Sequence, residues 1–350
     1  MSIRAALLSV ATASPPHVLV QREVAEAARG LFAGYPEFDR LSAVFETTGI
    51  VTRRSVQPID WFFQPQGWPE RTRAYLEGAD ALFVEAAEKA LAGAGLIAAE
   101  IDTVVTVSST GIATPSLEAR VASRMGFRSD VRRVPVFGLG CAGGVTGLAL
   151  AERLARAEPG SKVLFVTIEL CTLSFRLDEL TKANVVATAL FGDGAAACVV
   201  STEGEGIAAI EGAGEHLWKD TLDIMGWNVD PMGFGVIFAR SIPPFARKNL
   251  GPAMQNILGG MGLGFEDVGR FVCHPGGTKV VAALETAFHL DQGTLDHERE
   301  VLAEFGNMSA PTVLFVLERV LKAEGLPERA VMSSLGPGFT ATGLSLLRAA

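Results

Sequence analysis

Residues Gly140–Leu154, GCAGGVTGLALAERL, lie without a gap over Gly306–Val320, GNMSAPTVLFVLERV, at a shift of 166 that matches the leading glycine and the pairs Glu152-Arg153 and Glu318-Arg319. Working outward, Gly93–Val107 (GAGLIAAEIDTVVTV) lies over Gly260–His274 (GMGLGFEDVGRFVCH) at a shift of 167, and Phe191–Ala197 (FGDGAAA) over Leu335–Ala341 (LGPGFTA) at 144. Three matches in the same order describe one supersecondary unit used twice, with the lost residues in loops. Helical stretches such as Ala79–Ala92 and Thr312–Ala323 alternate with β-branched runs such as Thr103–Val107 and Lys162–Thr167. That alternation predicts an α/β fold of parallel sheet and crossover helices, in two βαβαβ-type halves, residues 1–200 and 201–350, related by a pseudo-twofold.

The chain of 350 residues is 49% apolar, 20% charged and carries 38 glycines, the composition of a compact protein with a large core. Thirty Lys and Arg against 39 Asp and Glu give a net charge of −9, which excludes a broad basic surface for nucleic acid. Cys141, Cys171, Cys198 and Cys273 form no CxxC pair, so neither a disulfide scaffold nor a cysteine metal site is expected, and the compartment reads as reducing and cytoplasmic. The N-terminal MSIRAALLSVATASPP reads as a first strand and turn, with a secretion signal as the minor alternative. The uncharged run 134–151 is long enough to raise a membrane span, but its proline and five glycines read instead as buried strand, turn and helix.

At the shift of 166 Cys141 falls opposite Asn307; each follows a glycine and opens a predicted helix. Unpaired amides and the helix dipole favour a thiolate there and are expected to lower the Cys141 pKa, whereas the alternative is a small buried apolar residue. Asn307 suits a helix N-cap as well as a catalytic amide. His274 ends the strand Arg270–Cys273 just before Pro275-Gly276-Gly277, at the strand end where open α/β sheets place ligands; it also suits a satisfied core histidine.

Taken in order, GLGCAGG, FGDGAAA, VCHPGG, GNMSAP and SLGPGF resemble the thiolase-fold condensing enzymes over essentially the whole chain. Histidine before Pro-Gly-Gly, with Gly-Asn-Met-Ser and a late Gly-Pro-Gly, is similar to the type III polyketide synthases of the chalcone synthase superfamily; β-ketoacyl synthase III typically has His-Gln-Ala-Asn at that place. The stretch Asp60-Trp61 through Tyr75, with ELCTLSF at 169–175, resembles bacterial synthases of alkylpyrones and alkylresorcinols. The resemblance implies a homodimer with layers α/β/α/β/α, and a decarboxylative Claisen condensation of malonyl-CoA onto a fatty acyl-CoA starter held on Cys141. His274 is then the ionic partner that stabilises the Cys141 thiolate and, with Asn307, a donor to the enolate oxygen, and no metal or redox cofactor is called for.

The same resemblance makes Phe191 and Phe238 gates between a CoA tunnel and the condensation cavity, although as plain residues both suit the core. It places Ser109, Thr114, Ser174 and Ser309 on the cavity wall and Gly336-Pro337-Gly338 on its floor. The basic cluster usual before TGIVTRR is replaced by LSAVFETT, which leaves Arg53, Arg54 and Lys279 for the CoA phosphates unless they are ordinary surface charge. A β-ketoacyl synthase III and a silent acyl-CoA-binding paralogue are the competing readings.

Overall fold

The computed structural model describes residues 4–179 and 181–349. Strands β1 (Ala5–Ala13), β2 (His17–Val20), β3 (Thr52–Ser55), β4 (Thr103–Val107), β5 (Arg132–Val136), β6 (Lys162–Leu170) and β7 (Asp193–Ser201) belong to the first half. They are followed by β8 (Ala208–Leu217), β9 (Met225–Asp230), β10 (Gly233–Phe238), β11 (Arg270–Cys273), β12 (Arg329–Gly336) and β13 (Thr340–Arg348). The helices of the first half are α1 (Gln21–Leu31), α2 (Phe38–Ser42), α3 (Val44–Thr47), α4 (Trp68–Gly93), α5 (Leu117–Met125), α6 (Gly143–Ala157) and α7 (Lys182–Leu190). Those of the second are α8 (Ile242–Gly260), α9 (Thr278–Ala287), α10 (Asp296–Phe305) and α11 (Thr312–Ala323).

Nine strands form one sheet in the order β11-β12-β13-β8-β1-β7-β6-β4-β5. From the centre outward, β1-β7-β6-β4 alternates antiparallel, antiparallel, parallel, and β8-β13-β12-β11 does the same. The repeat of the sheet follows the shift of 167 read from the sequence, but the match at 144 is two residues out, since the pairing sets Ala195 of β7 over Ala341 of β13. The two copies are joined by antiparallel pairing of β1 with β8, and the parallel sheet expected is confined to β6-β4-β5 and β12-β11. Only β5, at the outer edge of the first copy, has no counterpart among the described residues.

Helices α6 and α11 lie between the two sheet halves and touch strands of both, α4 covers the outer face of the first half, and α8 with α9 covers that of the second. Strand alternation fills these layers. Val163 and Phe165 of β6 enter the central core while Leu164, Val166 and Ile168 pack outward beneath α4. Ala330 and Met332 of β12 face the centre and Val331 the α8 side. The order α/β/α/β/α therefore stands, in a thiolase-like fold. The central helices approach closely because α6 carries glycine at the crossing: a Cβ on Gly144 would lie 2.3 Å from the Ala310 carbonyl oxygen, and one on Gly147 2.4 Å from Phe165.

The run 134–151 is strand, turn and helix, as expected, and no helix among the described residues is long and apolar enough to cross a membrane. The strand is not buried, however. Edge strand β5 leaves Arg132, Arg133 and Pro135 exposed, because among the described residues it pairs with β4 alone.

Candidate active site

Cys141 stands in a single turn, Gly140–Ala142, that runs directly into α6. The turn needs glycine, since Gly140 has φ +48° and a Cβ there would meet Pro337 at 2.7 Å. Its backbone is held by the Ser109 hydroxyl oxygen, which accepts the amides of Gly138 (3.1 Å) and Gly140 (3.3 Å). Burial pushes the Cys141 thiol up to about 12, against a hydrogen bond from Ser309 that favours the thiolate. The lowering expected from the helix start is therefore reversed: the sulfur sits in a desolvated pocket, and removing water from an anion outweighs the dipole.

His274 leaves the end of β11 with its amide still donating to the Ser333 carbonyl at 2.8 Å. The ring is 4% exposed, and neither nitrogen has a partner among the described residues. Desolvation lowers its pKa to about 3, which keeps the imidazole neutral with one N–H to give. A satisfied core histidine would have its nitrogens paired.

Asn307 does not cap α11, which starts only at Thr312. Its Oδ1 accepts the Ser309 amide at 2.8 Å, and its Nδ2 makes one long contact, 3.4 Å, to the Gly276 carbonyl. The amide orientation is thereby fixed with its donor side free for a ligand. The Asn307 backbone bridges to the first half: its N–H donates to Leu190, and its carbonyl accepts from Gly192. Ser309, in the left-handed region at φ +57°, links this segment to the Cys141 thiol.

Three cavities meet here. One holds Cys141, Ser109, Ser309 and Pro337. A second holds His274, Asn307 and Leu335, and shares Met225 and Phe238 with the first. A third, mostly apolar, lies among α1, α7 and Phe62, and shares Cys171 and Phe191 with the first. Phe238 and Phe191 thus stand at the two junctions, edge to face with centroids 6.3 Å apart.

The remaining expected residues divide. Ser174 lines the third cavity and not that of Cys141. Gly336 and Gly338 flank Pro337, with Gly336 against Ala142 and Gly338 against Leu217. Thr114 is a correction: it is exposed and lines none of the three cavities, because the chain after β4 has already turned outward there. Arg53 is another. It is 2% exposed and donates to the carbonyls of Thr188 (2.6 Å) and Phe191 (2.8 Å), so it cannot reach a phosphate at a tunnel mouth. Its neighbour Arg54 is half-buried and Lys279 is exposed at the start of α9.

Sequence reasoning missed several residues. Trp227 walls the Cys141 cavity, its indole N–H donating to the Ser109 carbonyl at 2.8 Å, and nothing in the sequence of the β9–β10 hairpin marked it. Glu169, the one acidic residue of β6, did leave a signal. Both its oxygens accept the Ser109 amide (3.1 and 3.0 Å), and burial raises its pKa to about 8. Asp193 of FGDG accepts from the Thr172 amide and hydroxyl and the Val56 amide, clasping three segments beneath the cavities. Among the described residues no group of His, Cys, Asp and Glu is placed to hold a metal.

The signature described as chalcone and stilbene synthases, N-terminal domain, matches residues 70–204, and the corresponding C-terminal domain matches 210–349. A 1,3,6,8-tetrahydroxynaphthalene synthase of Streptomyces peucetius subsp. caesius is 40% identical over 95% of this chain and 90% of its own length. A Mycobacterium tuberculosis protein called alpha-pyrone synthesis polyketide synthase-like Pks18 is 29% identical over 97% and 90%. Among solved structures, the 1,3,6,8-tetrahydroxynaphthalene synthase of Streptomyces coelicolor A3(2), a bacterial type III polyketide synthase, superposes with a TM-score of 0.93 at 31% identity, covering 99% of this chain and all of that one.

Proposed function

The chain belongs to the chalcone and stilbene synthase family and is a type III polyketide synthase, an acyl-transferring condensing enzyme; from that premise we propose that it extends a fatty acyl-CoA starter with malonyl-CoA to an alkylpyrone or alkylresorcinol. The observation that carries the starter class is the apolar lining of the cavity behind Cys171 and Phe191, adjoining the Cys141 cavity, where an acyl tail can lie while its carbonyl carbon is on the sulfur.

Each residue then has a task that fits its surroundings. Cys141 sulfur attacks the starter thioester carbon while its proton passes to His274, and the imidazolium returns that proton to the departing CoA thiolate. Neutral thiol and neutral imidazole, the forms that burial favours, are the correct reactants for this exchange. In the second step malonyl-CoA loses carbon dioxide, and the enolate oxygen takes hydrogen bonds from the His274 N–H and the Asn307 Nδ2. Its carbon attacks the acyl carbonyl, a carbon–carbon bond forms, the carbon–sulfur bond to Cys141 breaks, and the thiolate released takes up one proton from solvent. Preorganised donors of this kind are worth roughly 3–4 kcal/mol each.

The halves 1–200 and 201–350 are proposed to divide this labour, the first giving the nucleophile and the second the donors. Only the CoA thioesters are needed, without metal or redox cofactor. Lys279 and Arg54 are the cations left for the CoA phosphates. A homodimer is supported by the open edge of β5, beside which Phe137 and Ile112 are 56% and 55% exposed. The test is incubation of purified protein with labelled malonyl-CoA and a ladder of acyl-CoA starters, with products identified by mass. Alkylated pyrone or resorcinol is expected. Product from malonyl-CoA alone overturns the fatty starter, and no carbon–carbon bond formation at all supports the silent paralogue.

A further inference from the structure

Strand β11 is the outer edge of the sheet in the second half, paired with β12 alone. In the first half the equivalent strand, β4, is flanked by β5 as well. The two registers correspond, since Thr103 opposite Val163 and Arg270 opposite Ala330 are both displaced by 167. On β4 the even-numbered amides face β5, as the Ser108 amide donating to the Val136 carbonyl shows. On β11 the amide of His274 faces β12, so that of Cys273 points to the side where a third strand would be. No strand is there. The acceptor is a side chain: Glu298 Oε1, 2.9 Å from the Cys273 nitrogen, on the first turns of α10.

Glu298 is 0% exposed. Burying a carboxylate costs several kcal/mol unless it is well paired, and its one cation among the described residues, Arg270, stands off at 3.7 Å while also meeting Asp296 (3.2 Å) and Glu324 (2.8 Å). An apolar residue would fill the site more cheaply, but would leave the Cys273 amide without an acceptor. The other end of α10 leads through Gly306 to Asn307, whose side chain reaches the Gly276 carbonyl. One helix therefore grips the histidine segment at Cys273, one residue before His274, and its C-terminal extension grips it at Gly276, two residues after.

We infer that Glu298 is a positioning residue that replaces the missing edge strand and sets His274 against Asn307, so that the two donors converge on one oxygen. The inference rests on the donor role proposed above for His274. Its signature is that Glu298 acts through His274, which a double-mutant cycle detects. The cycle measures carbon dioxide release from malonyl-CoA, together with thermal melting, for the parent, Glu298→Ala, His274→Ala and the double variant. A misplacement of the order of 1 Å is expected to lower release about 10- to 100-fold in Glu298→Ala. The same change adds less than about 2-fold in the His274→Ala background, although the melting temperature falls equally in both. Glu298→Gln, which keeps an oxygen acceptor, is expected to restore release to within about 3-fold of the parent. Where Glu298→Ala does not fold, Glu298→Asp, whose acceptor is withdrawn by one methylene, carries the cycle. Equal losses in both backgrounds, or a glutamine variant as slow as alanine, overturn the inference and leave the role of His274 standing. A His274→Ala protein that decarboxylates at the parent rate overturns that role, and this inference with it.

Discussion

The two halves of the sheet keep one register and differ in chemistry at each equivalent place. At the turn before the central helix the first half has the Cys141 thiol and the second the Asn307 amide; at the end of the matching strand the first has Val107 and the second His274. Where the first half buries Glu169, the register puts Gly336 in the second. The first half keeps its edge strand, and the second has a carboxylate in its stead. Duplication thus supplied the geometry, two helix starts and two strand ends converging at one junction. The divergence that followed put a thiol on one side and an imidazole and an amide on the other.

That division is broken most severely by exchanging which half is disabled. Cys141→Ala is expected to abolish condensation while leaving carbon dioxide release measurable, since both donors stay in place. Asn307→Ala is expected to do the reverse, accepting the starter on Cys141 by intact mass but losing decarboxylation by about 100-fold or more. An Asn307→Ala protein that decarboxylates at the parent rate removes the second half from the chemistry.

Next in size is the strut between the halves. Arg53 holds the carbonyls of Thr188 and Phe191, and its side chain packs against Gly306 beside Asn307. It is also the nearby cation for the buried Asp193. Arg53→Met leaves those carbonyls and that carboxylate uncompensated, and about 3–5 kcal/mol of stability should be lost in denaturant titrations. Lys279→Ala should leave stability unchanged and raise the KM for malonyl-CoA a few-fold, the size expected of an exposed phosphate contact. The opposite pattern would return Arg53 to the CoA site.

A smaller effect is expected at the junctions. Phe191→Leu alters the wall shared with the apolar cavity and should shift the preferred starter length, whereas Phe238→Leu alters the wall shared with His274 and Asn307 and should shift the number of extensions. Product profiles by mass distinguish them. Two variants that lose stability and keep the parent profile make both rings simple core aromatics.

The sequence made much of this legible because duplication leaves a trace in spacing. Strand Thr103–Val107 and helix Thr312–Ala323 have the bounds that their patterns suggest, and Cys141, His274 and Asn307 gather in joined cavities. What was illegible depends on neighbours remote in the chain. Periodicity shows that Val134 and Val136 alternate, but not that β5 has nothing beyond it. A glycine before Cys141 shows a helix start, but not the desolvation that outweighs it. Arg53 and Arg54 look alike in sequence, and only strand alternation against β7 and α10 separates the buried one from its neighbour.

The finest comparison is between Glu169 and its counterpart Gly336. Burial holds the Glu169 carboxyl near a pKa of about 8, far above the ordinary carboxylate range, so between about pH 5 and 8 the folded protein keeps a proton that the unfolded chain has lost. Folding takes up that proton, so this group's contribution to stability falls as pH rises through the window and is most favourable below it. Glu169→Gln cannot ionise, and its amide oxygen can still accept from the Ser109 amide. Its melting temperature relative to the parent should therefore climb by about 5 degrees between pH 5 and 8.5, a shift that corresponds to roughly 4 kcal/mol in a chain of this size. The charge also acts on Cys141, because an ionised Glu169 pushes its thiol further up. Alkylation of Cys141 above pH 8 should be a few-fold faster in the glutamine variant, with no difference at pH 6, where the parent carboxyl is already protonated. Parallel melting curves would mean that Glu169 is ionised in the fold at neutral pH, and the asymmetry between the halves would then include a fixed negative charge beneath the sulfur.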